Sequence, residues 1–286
     1  MKKKYVILWL LFVLICSLIA LIYFVENTNC SQKSLNETFI NNNSNAFCLL
    51  TREPSIIWLD FLNTFTDNYN VFIAIDNQND YTSINKKYPK ITFIQISDEE
   101  CNKANYTNSD YFFKPIVSTD RAFYYFNRIN TSYKHIWFCE DDVYIHNIND
   151  IITLDNQYPS TDLIVPNIEM NKDGNNDGWP HWQNIDNTLP LPWAHHIICI
   201  ARISRELMNK VDEFVKKHNK LIYKEILFHT LALHNDMSIE TPKEMSKIRY
   251  PQEWDILDVI NDYNNGAKYI YHPIKDLQKQ VELRNQ

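Results

Sequence analysis

The sequence predicts an α/β fold in which a mostly parallel sheet is flanked by helices, and three observations predict it. Short apolar runs alternate with stretches of helical periodicity across residues 46–286, the pattern that βα units produce when helices cover a parallel sheet. Ile136-Trp137-Phe138-Cys139 is apolar without a break, as expected of a strand buried on both faces. Apolar residues make up 45 % of the 286 and charged residues 22 %, which supports one sizeable core.

The elements follow in order. Lys2, Lys3 and Lys4 precede an uncharged run over 5–25 that Glu26 ends; at about 1.5 Å per residue it spans a hydrocarbon core of about 30 Å. A cleaved signal peptide has a shorter apolar region and a small-residue cleavage site. The expectation is therefore a cytosolic tail over 1–4 and a transmembrane signal anchor over 5–25, with everything beyond it lumenal or extracellular. In a eukaryotic cell that means the Golgi or the endoplasmic reticulum. Residues 26–45 are rich in Asn, Ser and Thr and read as a flexible stem. The domain over 46–286 begins with a strand at Ala46–Leu50, a helix over Pro54–Phe65 presenting Ile57, Phe61 and Phe65, and strands at Val71–Ile75 and Ile91–Ile96. A helix over Ser118–Ile129 leads into the buried strand at 136–139. Beyond it come a strand at Leu163–Pro166, a polar loop from Asn171 to Trp193, a strand at His195–Arg202, a helix over Ser204–Val215, and a helix from Glu225 through Leu233.

Composition excludes several chemistries. The chain has 3 glycines where average usage would give roughly 20, and no Gly-x-Gly pair. Glycine-fingerprint dinucleotide sites, Walker loops and nucleophile elbows all need spacings that are missing. A net charge of -7 without a basic stripe argues against nucleic acid as a partner. Of six cysteines, Cys16 falls in the anchor and Cys30 in the stem; Cys48, Cys139 and Cys199 sit in apolar runs as free buried thiols, while a Cys30–Cys101 pair is left open. Glycosylation sequons at Asn29, Asn36, Asn42, Asn105 and Asn130 are few more than chance gives in so Asn-rich a chain.

The chemistry concentrates where the buried strand ends, in Glu140-Asp141-Asp142. Open parallel sheets bind ligands beyond the carboxyl ends of their strands. Three adjacent carboxylates repel unless a cation or hydrogen-bond donors offset them, and Mn2+ or Mg2+ is the natural partner, because hard ions take oxygen ligands and bridge to a diphosphate.

With its tail, anchor, stem and Trp137-Phe138-Cys139-Glu140-Asp141-Asp142-Val143 midway through an alternating domain, the sequence resembles type II membrane glycosyltransferases of the GT-A fold. The resemblance implies transfer of a sugar from a nucleotide donor, UDP-linked, to a glycan, glycoprotein or lipid hydroxyl. It implies Asp142 as metal ligand, with Glu140 and Asp141 facing metal, ribose or donor sugar, and Asp76, Asp120 and Arg121 as donor contacts. His272 in Tyr271-His272-Pro273-Ile274-Lys275 would close on the metal and Lys275 would meet the diphosphate. In an inverting enzyme the base would be Glu225 or Asp236. Trp179, His181, Trp182 and Trp193 form the acceptor-binding expectation, since sugar faces stack on indole. Two alternatives share these residues. One is a membrane-anchored glycan-binding protein without turnover, the other a metal-dependent phosphoesterase or nucleotidyltransferase.

Overall fold

A computed structural model of the protein describes residues 44–107, 118–128, 133–175, 178–179, 181–182, 185 and 188–286. The tail, the anchor, nearly all of the stem, and the sequons at Asn29, Asn36, Asn42 and Asn130 lie outside them. Among the described residues no helix is long and apolar enough to cross a membrane.

The principal sheet takes its strands in the spatial order β3-β2-β1-β4-β8-β5-β9. Here β1 is Asn45–Thr51, β2 Asn70–Ile75, β3 Ile91–Gln95, β4 His135–Glu140, β5 Leu163–Ile164, β8 Ile200–Ser204 and β9 Ile239–Glu240. Strands β3, β2, β1 and β4 run parallel. Strand β8 runs antiparallel between β4 and β5, and β9 parallels β5. Two short ladders stand apart, β6 (Glu169–Asn171) with β7 (Trp193–His195), and β10 (Lys247–Ile248) with β11 (Tyr271–His272). The central strands are buried on both faces because their apolar runs do not alternate with polar residues. Cys48, Leu50, Ala74, Ile136 and Phe138 enter one core, while Phe47, Leu49, Ile73, Ile75, Trp137 and Cys139 enter the other.

Helices cover the sheet: α1 (Ile56–Asn63), α2 (Thr82–Lys87), α3 (Asp98–Lys103), α4 (Ala122–Phe126), α5 (Ile148–Gln157), α6 (Arg205–His218), α7 (Lys224–His234), α8 (Ile256–Asn264) and α9 (Leu277–Arg284). Helix α5 opens with a capping box in which Asn147 and Asp150 serve each other's backbone N–H groups. Asn147→Ala is therefore expected to lower stability by about 1 kcal/mol, read from the urea midpoint. An ion pair fastens α5 to the sheet, with Arg202 Nη1 2.7 Å from Asp155 Oδ1 and Tyr69 donating to the other oxygen at 2.5 Å.

Three local expectations need correction. Helix α1 buries Trp58, Leu59 and Leu62 besides the expected Phe65 beyond its end, with the expected Phe61 packed against the same core and only Ile57 left half-buried outside it; the Trp58 indole donates to the Asp141 carbonyl at 2.7 Å. The helix placed over 118–129 is a 3-10 turn at Ser118–Arg121 followed by the short α4, with Ile129 outside the described residues. The strand expected at His195–Arg202 is two strands, β7 and β8, which join different sheets. Cys101 is buried and has no disulfide partner among the described residues; Cys30, the other half of the open pair, lies outside them.

Sheet order fixes where a ligand belongs. The chain passes from β1 to β2 to β3 in one direction, then β4 adds on the opposite side of β1. Connections leaving β1 and β4 diverge and open a crevice at their carboxyl ends. Leu50 stands opposite Glu140 in that register, so Thr51 and the acidic segment border the crevice.

Candidate active site

The acidic residues leave β4 with three different environments. Glu140 Oε1 lies 2.5 Å from Lys224 Nζ. Asp141 turns back to β1, where its carboxylate accepts from Thr51 Oγ1 at 2.5 Å, and burial raises its pKa. Its carbonyl accepts from Trp58 Nε1 and, at 3.2 Å, from Gln280 Nε2 of α9. Asp141 thereby ties the segment to β1, α1 and α9. Asp142 projects outward, its Oδ1 3.3 Å from His272 Nε2 on β11, and its carbonyl accepts from Ile274 N–H at 2.8 Å.

His272 is held from behind. Its Nδ1 lies 2.8 Å from the Arg249 carbonyl, which can only accept, so Nδ1 carries the proton and Nε2 faces the carboxylates. Burial works against a charged imidazole, but the Asp142 carboxylate outweighs it and raises the His272 pKa. One donor atom each from Glu140, Cys199 and His272 lie within 4.8 Å of one another. Two carboxylates and an imidazole at one strand end fit a divalent cation in donor type and charge.

Behind this face lies a buried ion cluster. Lys224, the first residue of α7, is 5 % exposed and sits between Glu140 and Asp120, the latter at 3.4 Å. Burial disfavours its charge, yet Asp120 and Glu140 hold it protonated. Asp120 is 2 % exposed, and burial, partly offset by Lys224, pushes its carboxyl up to about 6. At the neighbouring strand end Asp76 pairs with Arg121 at 2.7 Å, and Arg121 also reaches Asp98. The donor-side expectations Asp76, Asp120, Arg121 and Glu140 thus gather with the expected metal ligand Asp142 near the carboxyl ends of β2 and β4, and exposed Lys275, also expected at the donor, follows Ile274 beside Asp142.

The two candidate bases are not together. Glu225, buried next to Lys224, accepts from the Ile198 N–H at 3.3 Å. Asp236 is exposed beyond the far end of α7, about 15 Å along the helix axis. Burial pushes Glu225 up to about 8 from an ordinary 4.5. Its raised folded pKa means that the unfolded chain ionises first, so folding loses stability as pH climbs from 4.5 to about 8. Glu225→Gln removes that loss and is expected to gain on the order of 2 kcal/mol over the wild type at pH 8, with no gain at pH 4. Urea midpoints of both proteins across this range test it; parallel curves would refute it.

The tryptophans divide. Trp182 and Trp193 are buried and stack at 6.0 Å; Trp193 belongs to the core, while Trp182 also lines the cleft beside Trp179. Trp179 is half-buried, stacks on His195 at 4.3 Å and has His181 against its ring at 4.6 Å. A polar cleft of about 360 Å³ opens there, with Glu169, Asn171, Asp173, Trp179 and His195 among its walls.

Sequence reading missed Lys224, Cys199 and Thr51. Lys224 did leave a signal, because a lysine in the first turn opposes the helix dipole and asks for a specific anionic partner. Thr51 carried none, since its partner Asp141 is remote in sequence, and Cys199 read only as the buried thiol that it is.

The sequence matches no known family profile and no curated protein. Among solved structures, the apo form of mouse xyloside xylosyltransferase 1 aligns with a TM-score of 0.39 and 12 % identity, covering 82 % of this chain and 99 % of that one. A 4-diphosphocytidyl-2C-methyl-D-erythritol synthase from Anaerococcus prevotii aligns with a TM-score of 0.38 and 10 % identity over 70 % and 91 % of the two chains. Likeness this slight decides neither fold nor chemistry, which rest on the sheet and the site themselves.

Proposed function

We propose that this chain is a metal-dependent glycosyltransferase of the GT-A type, transferring a sugar from a nucleotide donor, UDP-linked by the sequence resemblance, to a glycan, glycoprotein or lipid hydroxyl. One observation carries the reading: His272, remote in sequence, meets Asp142 and Glu140 of the acidic segment at the crevice between β1 and β4 where an open parallel sheet binds ligands. A divalent ion held by Asp142, Glu140 and His272 would offset the negative charge that grows on the departing diphosphate.

The remaining roles fall to the chain's own groups. Lys224 holds one oxygen of Glu140 and leaves the other for the ligand side. Arg121, oriented by Asp76, offers a guanidinium at the end of β2 for the donor, and Lys275 supplies positive charge beside the diphosphate. Glu225 is the candidate base in preference to Asp236, and its ability to accept the acceptor hydroxyl proton grows as pH rises through about 8. The cleft at Trp179 is the acceptor side, with ring faces and planar polar groups suited to a sugar. Residues 5–25 would anchor the chain with residues 46–286 on the lumenal or extracellular face.

The test is donor hydrolysis by the full chain across a panel of nucleotide sugars, with and without Mn2+, followed by chromatography of released nucleotide and sugar. Manganese-dependent release of nucleoside diphosphate and sugar from one donor is the expected result. Absence of nucleotide binding under every metal condition, in a chain that still melts cooperatively, would overturn it in favour of a glycan-binding protein. Pyrophosphate release from a nucleoside triphosphate would point to nucleotidyl transfer instead.

A further inference from the structure

We propose that Cys199 is a further donor of the metal centre, making it a mixed oxygen, nitrogen and sulfur site that takes zinc in preference to magnesium or manganese. This rests on the reading that Asp142, Glu140 and His272 hold a divalent ion. It goes beyond that reading in the identity of the ion and of the added ligand.

The placement of Cys199 sets it apart from the other thiols. Among the described cysteines, the Sγ of Cys48, Cys101 and Cys139 each lies against a backbone carbonyl, at 3.7, 3.9 and 3.4 Å. Cys199 has no such acceptor. Its donor atom instead lies within 4.8 Å of both a Glu140 oxygen and a His272 nitrogen. Two donors at roughly 2.0–2.3 Å on a tetrahedral ion stand about 3.3–3.8 Å apart, so side-chain adjustments of about an ångström bring the three within reach of a common ion. The backbone already ties two of them together, because Glu140 N–H donates to the Cys199 carbonyl at 2.8 Å across the β4–β8 edge.

The other donors are arranged for the same purpose. His272 Nδ1 is committed to the Arg249 carbonyl and so presents Nε2. Glu140 Oε1 is committed to Lys224, leaving its second oxygen. Asp142 lies 3.3 Å from the same imidazole nitrogen. Two carboxylates, one imidazole and one thiolate make a four-donor set of the kind zinc accepts, whereas a hard ion gains little from sulfur. On coordination the metal–sulfur bond replaces the S–H bond and the thiol proton passes to solvent, so no oxidant or reductant is involved. Zinc at this position would compete with the manganese that turnover uses.

The experiment uses Co2+, Zn2+ and Mn2+ alone as probes on the full chain. Wild-type protein titrated with Co2+ is expected to develop a near-ultraviolet sulfur-to-cobalt charge-transfer band that Cys199→Ser lacks and Cys139→Ser keeps. Zinc affinity by competition with a chelating dye is expected to fall roughly tenfold to a hundredfold in Cys199→Ser, while manganese affinity changes less than about threefold. Should Cys199→Ser misfold, X-ray absorption on zinc-loaded wild type gives the same answer through one sulfur at about 2.3 Å. Bound cobalt without the band, a band surviving in Cys199→Ser, a zinc shell without sulfur, or no metal binding at all would each overturn the inference. Manganese-dependent donor turnover in a chain without sulfur ligation would leave the transferase standing and remove only Cys199. Sulfur ligation in a chain that turns over no donor would do the reverse.

Discussion

Asp142→Asn is expected to lower metal-dependent donor turnover by at least about a hundredfold, equivalent to roughly 2.7 kcal/mol of transition-state stabilisation, with the fold kept. The asymmetry follows from where the carboxylate sits. Its side chain is 24 % exposed and, among the described residues, has His272 as its one ion-pair partner, so its loss strands no buried charge: an imidazole freed of Asp142 sheds its proton. The stability effect has a defined pH window. Asp142 raises the His272 pKa above its ordinary 6.5, so the pair's contribution is fully present below 6.5 and disappears as pH rises through the raised value. Without added metal, the variant is therefore expected to be less stable than wild type at pH 5.5 and equal to it at pH 8.5. Turnover at pH 8.5 alongside urea midpoints at both values checks each half. Turnover within a few-fold of wild type would remove Asp142 from the centre, and an equal stability loss at both pH values would mean that the carboxylate supports the fold in another way.

The readability of this molecule in its sequence follows the range of the interactions involved. Strands β1 to β4 were legible because an uninterrupted apolar run has few other solutions, and Glu140-Asp141-Asp142 stood out because carboxylates rarely follow such a run without a purpose. Distinguishing Asp141 from its neighbours was beyond the sequence, since its role is set by Thr51, Trp58 and Gln280, which approach from β1, α1 and α9. Trp182 and Trp193 are buried against each other, yet Trp182 also lines the cleft while Trp193 does not, a division between neighbouring rings that the composition of a polar loop does not carry. The single strand assumed over 195–202 failed for a similar reason. Ile198 leaves the ladder and donates its N–H to Glu225, while the Cys199 carbonyl still accepts from Glu140 N–H, and a local apolar pattern carries no trace of that.

Lys224→Met is expected to cost about 3–5 kcal/mol of stability at pH 7.5, because it deletes one partner of a buried ion cluster and leaves the others behind. The two acids it serves are not equivalent. Glu140 is 31 % exposed on its side chain and can turn to water, whereas Asp120 is 2 % exposed and has both carboxylate oxygens buried. Most of the loss should thus come from Asp120, whose carboxyl, already pushed up to about 6 with Lys224 present, must climb further or remain charged without a counterion. Since protonation of Asp120 relieves the strain, this part of the cost shrinks as pH falls through the variant's raised value towards 6 and is lost below it. Adding Asp120→Asn to Lys224→Met removes the stranded charge, so the double variant is expected to recover part of the loss rather than deepen it. Urea denaturation of the four proteins in this cycle measures the coupling; a single-variant loss below about 1 kcal/mol, or further destabilisation in the double variant, would show that the cluster is not held by Lys224. The same lysine explains how the protein tolerates carboxylates packed at one strand end. It neutralises the buried side of Glu140 from within, which leaves Asp142 and the outer oxygen of Glu140 free to meet a cation from the crevice.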